Sequence, residues 1–256
     1  MVIVLRLVIT IFPLLLSCIL IADETLCKQT EFITVEALAN SLPLDLAASP
    51  IVHLKTLAVQ RDTFSCGYHA LFHALAIDIA IQNGYGWERE LEKHLADKEL
   101  FEKVCAATKA HTQTDKPLNG VEISAIAGSV SLGSKLIPLF YTDKQELMIP
   151  ALYACVQHPI NMPRDGIEQL LEQRRKEIVK ERILELLQSV NNKPYQARHF
   201  ICNVGNHWML FSVVVDMYVH AKLYLIGSWN EPLTDTTKKM ARDLLECMGQ
   251  AGMRVW

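Results

Sequence analysis

The chain has no Cys-x-x-Cys pair among its seven cysteines. Cys27, Cys66, Cys105, Cys155, Cys202 and Cys247 lie far apart, a spacing that fits neither a zinc ribbon nor a dense disulfide scaffold. Basic patches are missing too. The 25 lysines and arginines are scattered among 28 acidic residues for a net charge of −3, so the electrostatic footprint of a nucleic-acid-binding protein is absent. No internal repeat and no low-complexity tract interrupts the 256 residues, which leaves out solenoid arrays and long linkers. What the chain does have is apolar content. Half of it is hydrophobic, enough for a substantial core and too much for global disorder.

Residues 1–22, "MVIVLRLVITIFPLLLSCILIA", carry a single charge, Arg6, and the run from Leu7 to Ala22 stops at Asp23 and Glu24. This is the pattern of a secretory signal peptide or an N-terminal membrane anchor. The run is short for a spanning helix unless residues 1–5 are counted. "LLSC" at 15–18 is a weak match to a bacterial lipoprotein cleavage box, with Leu16 poorly suited to it. The expectation is a secreted or anchored protein whose only membrane contact is this segment, followed by one domain over 30–256. The alternative is a buried N-terminal helix.

The remainder reads as strand and helix in turn. "IVHLKTLAVQ" (51–60) alternates like a strand, and "RDTFS" is a polar turn. From Cys66 to Gln82 the sequence is apolar on nearly every face and stops at "NGYG", which predicts a central, buried helix. Residues 87–110 predict a surface helix, 146–157 a further one, and 124–142 remain open between helix and strand. Asp165 and Glu168 resemble a capping box that opens a helix over 165–190. Its charged side reads as a solvated face, with a partner-binding face as the alternative. "HFICNV", "WMLFSVVV" and "AKLYLIGSW" read as three strands, and a last amphipathic helix follows. The order predicts an α+β fold, with a helical part packed against an antiparallel sheet.

Cys66 stands where chemistry is cheapest to install. Ser65 can cap the helix, which leaves the thiol in the first turn, where the dipole and free amides favour a thiolate. Those amides can also hold an oxyanion, and the Gln60 side chain can add a donor. The proton must go to a base. His207, in "VGNHWML" at a break between two strands, is the candidate. Folding the next strands about a turn near residue 219 sets His207 opposite residue 231 and brings Asn230 beside its ring. A turn one or two residues earlier brings Gly227–Trp229 opposite instead. Asn206 is a weaker orienting candidate, because adjacent side chains on extended backbone point apart. Trp208 is a candidate for lining a substrate channel, or else a packed strand residue. For each of these residues the plain structural reading stands beside the functional one: a core cysteine, a strand-end histidine, a solvated glutamine, a turn asparagine.

Gln-x5-Cys-Gly opening a helix, then His-Trp opening a strand, then a hairpin back, resembles the ubiquitin-like-protein-specific cysteine proteases, the SUMO-processing and adenoviral-type enzymes. The similarity covers about 60 residues. In that family the histidine block comes first. Here it follows the cysteine, as in the papain group, so the resemblance implies a circularly permuted, papain-like cysteine-protease fold. Gly227 stands where either family has its Asp or Asn. The resemblance implies a thiol peptidase or isopeptidase with Cys66 as nucleophile, His207 as base, Gln60 at the oxyanion and Asn230 as a possible third member. It implies a protein or peptide substrate, such as ubiquitin or a ubiquitin-like protein, and no cofactor or metal. Two alternatives remain. One is an inactive protease-like module that binds a ubiquitin-like tail. The other is a zinc site on Cys66, His69 and His73, which share one helix face at i, i+3 and i+7.

Overall fold

The computed structural model describes residues 30–32, 51–112, 116–142, 146–150, 164–205, 207–230 and 232–255. The apolar segment 1–22, Cys27, Cys155 and Asn206 lie outside them, as do most of the residues of the helix expected over 146–157. Among the described residues no helix is long and apolar enough to cross a membrane.

The fold is α+β. Among the described residues it has nine strands: β1 (Thr30–Phe32), β2 (Ile51–Lys55), β3 (Ala58–Gln60), β4 (Leu136–Tyr141), β5 (Leu147–Met148), β6 (Gln196–Asn203), β7 (Trp208–Val215), β8 (His220–Gly227) and β9 (Arg254–Val255). Six helices accompany them: α1 (Cys66–Ile81), α2 (Trp87–Leu95), α3 (Lys98–Lys109), α4 (Gly120–Ser129), α5 (Arg164–Gln188) and α6 (Asp235–Gln250). Seven strands form one sheet in the order β2-β8-β7-β6-β4-β5, with β9 beside β8, while β1 and β3 pair separately.

The sheet is mixed, which corrects the expectation of an antiparallel one. β7 runs antiparallel to β6 and β8, but β2 lies parallel to β8, β4 parallel to β6 and β9 parallel to β8. Helical crossovers make these parallel pairs, since a parallel neighbour needs a long return path. A second correction concerns the layers. Helices cover both faces of the sheet rather than one. Trp208, Leu210 and Val214 point into the core under α1, while Met209, Phe211, Val213 and Val215 point into the core under α5 and α6. All eight residues of β7 are buried. An antiparallel strand with one wet face would alternate apolar and polar; "WMLFSVVV" is apolar at both parities because both faces are covered.

α1 is the central helix. Fourteen of its sixteen residues are buried, which is why it carries no polar stripe. It lies on β6, β7 and β8 with α2, α3 and α4 around it. Phe72 meets Phe101 of α3 edge-on at 5.3 Å. Each such fully buried aromatic contributes about 1.5–3 kcal/mol. Near the far end of α1, Lys135 Nζ donates to both oxygens of Asp78 at 2.9 and 2.8 Å, tying the helix to the turn before β4.

α5 fulfils the periodicity of 165–190. Val179, Ile183 and Leu187 are buried, and the charged side is solvated. Leu170 and Leu171, at its start, are exposed. The open segment 124–142 resolves into the end of α4 and all of β4.

Candidate active site

The site forms where β3 turns into α1. Asp62 makes that turn. Its Oδ1 accepts the backbone N–H of Phe64 at 2.8 Å and of Ser65 at 2.6 Å. Ser65 does occupy the N-cap position, but its hydroxyl makes no cap bond and is buried without a partner. Asp62 satisfies the entry turn, so the expected role of Ser65 falls to the residue three before it.

Gln60 is buried and braced. Its N–H donates to Ser228 O at 2.9 Å, its Oε1 accepts from Ser228 Oγ at 2.5 Å, and its Nε2 donates to Asp62 O at 2.8 Å. The side-chain amide therefore joins the end of β8 to the turn before the cysteine. It is not free to meet an oxyanion in this arrangement.

Cys66 is buried at the first position of α1. Burial pushes its thiol pKa up, and the Asp62 carboxylate adds to this. Backbone N–H groups of Trp208, Gly67 and Cys66 itself pull the other way but do not win. The expectation of a thiolate from helix position alone is thus reversed, because desolvation outweighs a helix terminus. The influence of the Trp208 backbone on the thiol is the informative one. It joins the start of α1 to the start of β7, next to His207.

His207 closes the tight turn between β6 and β7. Val204 N–H donates to its carbonyl at 2.8 Å, and Gly205 supplies the left-handed conformation at φ 72°. The β7–β8 register pairs Leu210 with Ile226, so His207 faces Trp229 rather than residue 231. The hairpin turns one residue earlier than the turn near 219. The imidazole and the Trp229 indole stack at 4.2 Å with an interplanar angle of 18°. His207 Nδ1 is buried without a partner, and burial lowers the ring's pKa to about 4. No hydrogen bond joins the thiol and the ring among the described residues.

Asn230 does not orient that ring. Its Oδ1 accepts from Thr56 N at 2.7 Å and its Nδ2 donates to Thr56 O at 3.0 Å, a two-bond clamp between the end of β2 and the exit of β8. It adopts φ 57°, which asparagine tolerates well. Gly227 does not face the ring either. A Cβ there would point at Met209, 3.2 Å from its Cε. Trp208 packs in the core under α1, and its indole N–H donates to Leu118 O at 2.8 Å. Trp229, partly exposed, is the aromatic residue at the histidine.

The sequence offered His69 and His73 as zinc ligands or as hydrogen-bonded core histidines. Among the described residues no group of three or more His, Cys, Asp or Glu side chains is arranged to hold a metal. The two rings stand 6.1 Å apart, tilted, in the core. His73 Nε2 lies 2.6 Å from Thr56 Oγ1. His69 is wholly buried and held near pKa 4 by desolvation. Asp62 and the Ala58 backbone push it upward, and His207 pushes it down. His69 thus lies within electrostatic reach of both Asp62 and His207. Of seven buried polar side-chain atoms without a partner among the described residues, five belong to Asp62, Ser65, His69, His73 and His207. Buried polar atoms in folded proteins are usually hydrogen-bonded, so these five call for partners that the protein itself does not supply. Asp62 was visible in the sequence two residues after Gln60, but nothing there distinguished it from an ordinary turn former.

Chemically the cluster holds a buried thiol, buried imidazoles and one carboxylate oxygen without a hydrogen-bond partner. No family model, no curated protein and no solved structure matches this chain.

Proposed function

We propose that the protein is a thiol hydrolase, a cysteine-type peptidase or isopeptidase with a circularly permuted papain-like arrangement, acting on a protein or peptide such as a ubiquitin-like tail. The observation that carries this reading is that the Cys66 thiol, at the start of α1, lies near enough to the backbone of Trp208, the residue after His207, for that backbone to lower its pKa. The orphaned polar atoms around it support the same reading.

In this reaction His207 takes the proton of Cys66 as sulfur attacks the substrate carbonyl. The C–S bond forms, and the backbone N–H at the helix start receives the oxyanion. His207 then gives the proton to the leaving amine as the C–N bond breaks. Water attacks the thioester and loses a proton to His207; the C–S bond then breaks, the acid leaves, and His207 returns the proton to the Cys66 sulfur. Substrate entry has to tighten the thiol–imidazole contact, as happens in many sites whose bonds are loose when empty. The stack on Trp229 favours the imidazolium once it forms, by about 0.5–2 kcal/mol. Gln60 joins the oxyanion only by releasing Asp62.

A second reading is a catalytically inactive module that binds the same kind of tail. It is favoured by Gly227, by the commitment of Asn230 to Thr56 and by the raised thiol pKa. A ubiquitin-like tail carrying an electrophile at its C-terminus separates the two. Labelling that is lost in Cys66→Ala and strongly slowed in His207→Ala supports the enzyme. Reversible binding with no covalent product, unchanged in Cys66→Ala, supports the module.

A further inference from the structure

A groove of 860 Å³ lies at the opposite end of α1 from Cys66, between the turn into α2 and the β7–β8 hairpin. At 1.5 Å per residue the helix sets it roughly 24 Å from the thiol. Tyr85 is 87% exposed, Tyr218 65% and Met217 44%, so three of the large apolar side chains that the described residues present to solvent line this one groove. The hairpin that carries Met217 and Tyr218 holds Val219 in the left-handed region at φ 57°. A β-branched residue is costly there, and glycine or asparagine is usual. Beside it, Met217 and Tyr218 face water.

The groove also has a charge. Glu88 from α2 and Asp216 from the hairpin both line it; burial first and then these two carboxylates push up the pKa of the Tyr224 hydroxyl. Glu90 is already paired with Lys93 at 2.6 Å. Arg89 lies on the rim, but neighbouring positions on a helix point apart, so it does not cover Glu88. Asp216 spends Oδ1 on the hairpin, accepting from Tyr218 N at 2.8 Å and His220 N at 2.9 Å; its Oδ2 stands 3.8 Å from His220 Nδ1. Glu88 has no partner among the described residues.

We infer that this groove is a docking site for an arginine side chain presented by a partner protein. A guanidinium stacks flat on tyrosine rings and offers a fork of donors to carboxylates, which is what two exposed tyrosines beside Glu88 and Asp216 would receive. An anionic ligand would meet like charge. A purely apolar one would bury the Glu88 carboxylate unpaired. The volume holds the side chain with its flanking backbone. The site stands apart from the thiol chemistry and does not depend on the proposed activity.

The test is fluorescence anisotropy of the full chain with a labelled Gly-Gly-Arg-Gly-Gly amide, beside the same peptide with lysine, citrulline or glutamate in place of arginine. The expected result is saturable binding of the arginine peptide that weakens with added salt, weaker binding of the lysine peptide and none of the other two. Glu88→Gln and Tyr218→Ala, both at exposed positions, should each weaken binding roughly 3- to 30-fold with an unchanged melting temperature. Equal binding of arginine and citrulline peptides would overturn the inference, as would variants that bind like wild type or no saturable binding at all. Lysine binding as tightly as arginine would overturn the choice of guanidinium.

Discussion

Lowering the pH from 7 to 5 should unfold this protein through its buried histidines. His69, His73 and His199 are wholly buried, and desolvation leads the causes of each shift. His69 and His199 are lowered to about 4, even though Asp62 and Asp78 pull them upward, and His73 is lowered well below its usual value. In the unfolded chain each titrates near 6.5. A folded pKa below the unfolded one means the native state resists protonation. The stability is present in full above pH 6.5 and is lost as pH falls toward 4. Each histidine contributes a slope of about 1.4 kcal/mol per pH unit in that window, so three give about 4 kcal/mol per unit. By pH 5 the loss is about 6 kcal/mol, comparable with the whole stability of an ordinary domain. Urea titrations at a series of pH values measure this directly. A double variant, His199→Leu with Ser212→Ala, removes the ring and its 2.8 Å partner together and should reduce the slope by one proton. A stability that stays flat between pH 6.5 and 5, or a slope unchanged in that variant, would refute the argument.

Alkylation of Cys66 by iodoacetamide, read at that residue by mass spectrometry, should rise only at alkaline pH, above the range of a free cysteine, because burial raises the thiol. His207→Ala should leave that profile unaltered in the absence of substrate; fast labelling at pH 5–6 that is lost in His207→Ala would reveal an ion pair and contradict the neutral site. Asn230→Ala removes both bonds to the Thr56 backbone and should cost about 1–3 kcal/mol in urea unfolding. Unchanged stability would show that the clamp is not needed. Gly227→Asp should not create a third catalytic member, because the new carboxylate would enter apolar surroundings at Met209, at a cost of at least about 2 kcal/mol. A stable variant with faster turnover would disprove that placement.

The secondary structure was largely legible because its signals are local. α1 has no polar stripe, α5 keeps a helical period, and β7 is a nearly continuous apolar run bounded by turn residues. The second helical layer was also written in β7, whose apolar residues at both parities require cover on both faces, though that signal was read as an ordinary antiparallel strand. Less of the site could be read. A one-residue difference in where the β7–β8 hairpin turns exchanges Trp229 for residue 231 opposite His207, and no local rule fixes that turn when Val219 is the residue in the left-handed position.

The sequence by itself determined which residues can do chemistry and on what elements they sit: a thiol opening an apolar helix, a histidine at a strand break, a glutamine upstream. Tertiary structure alone decided what surrounds them. It gave Gln60 to Ser228, gave Asn230 to Thr56, stacked His207 on Trp229 and set His207 within electrostatic reach of His69. The reason is physical. Helix and strand propensity act over a few neighbouring residues. Hydrogen-bond partners and desolvation depend on groups up to 174 positions apart, as between Thr56 and Asn230, which meet only when the sheet closes.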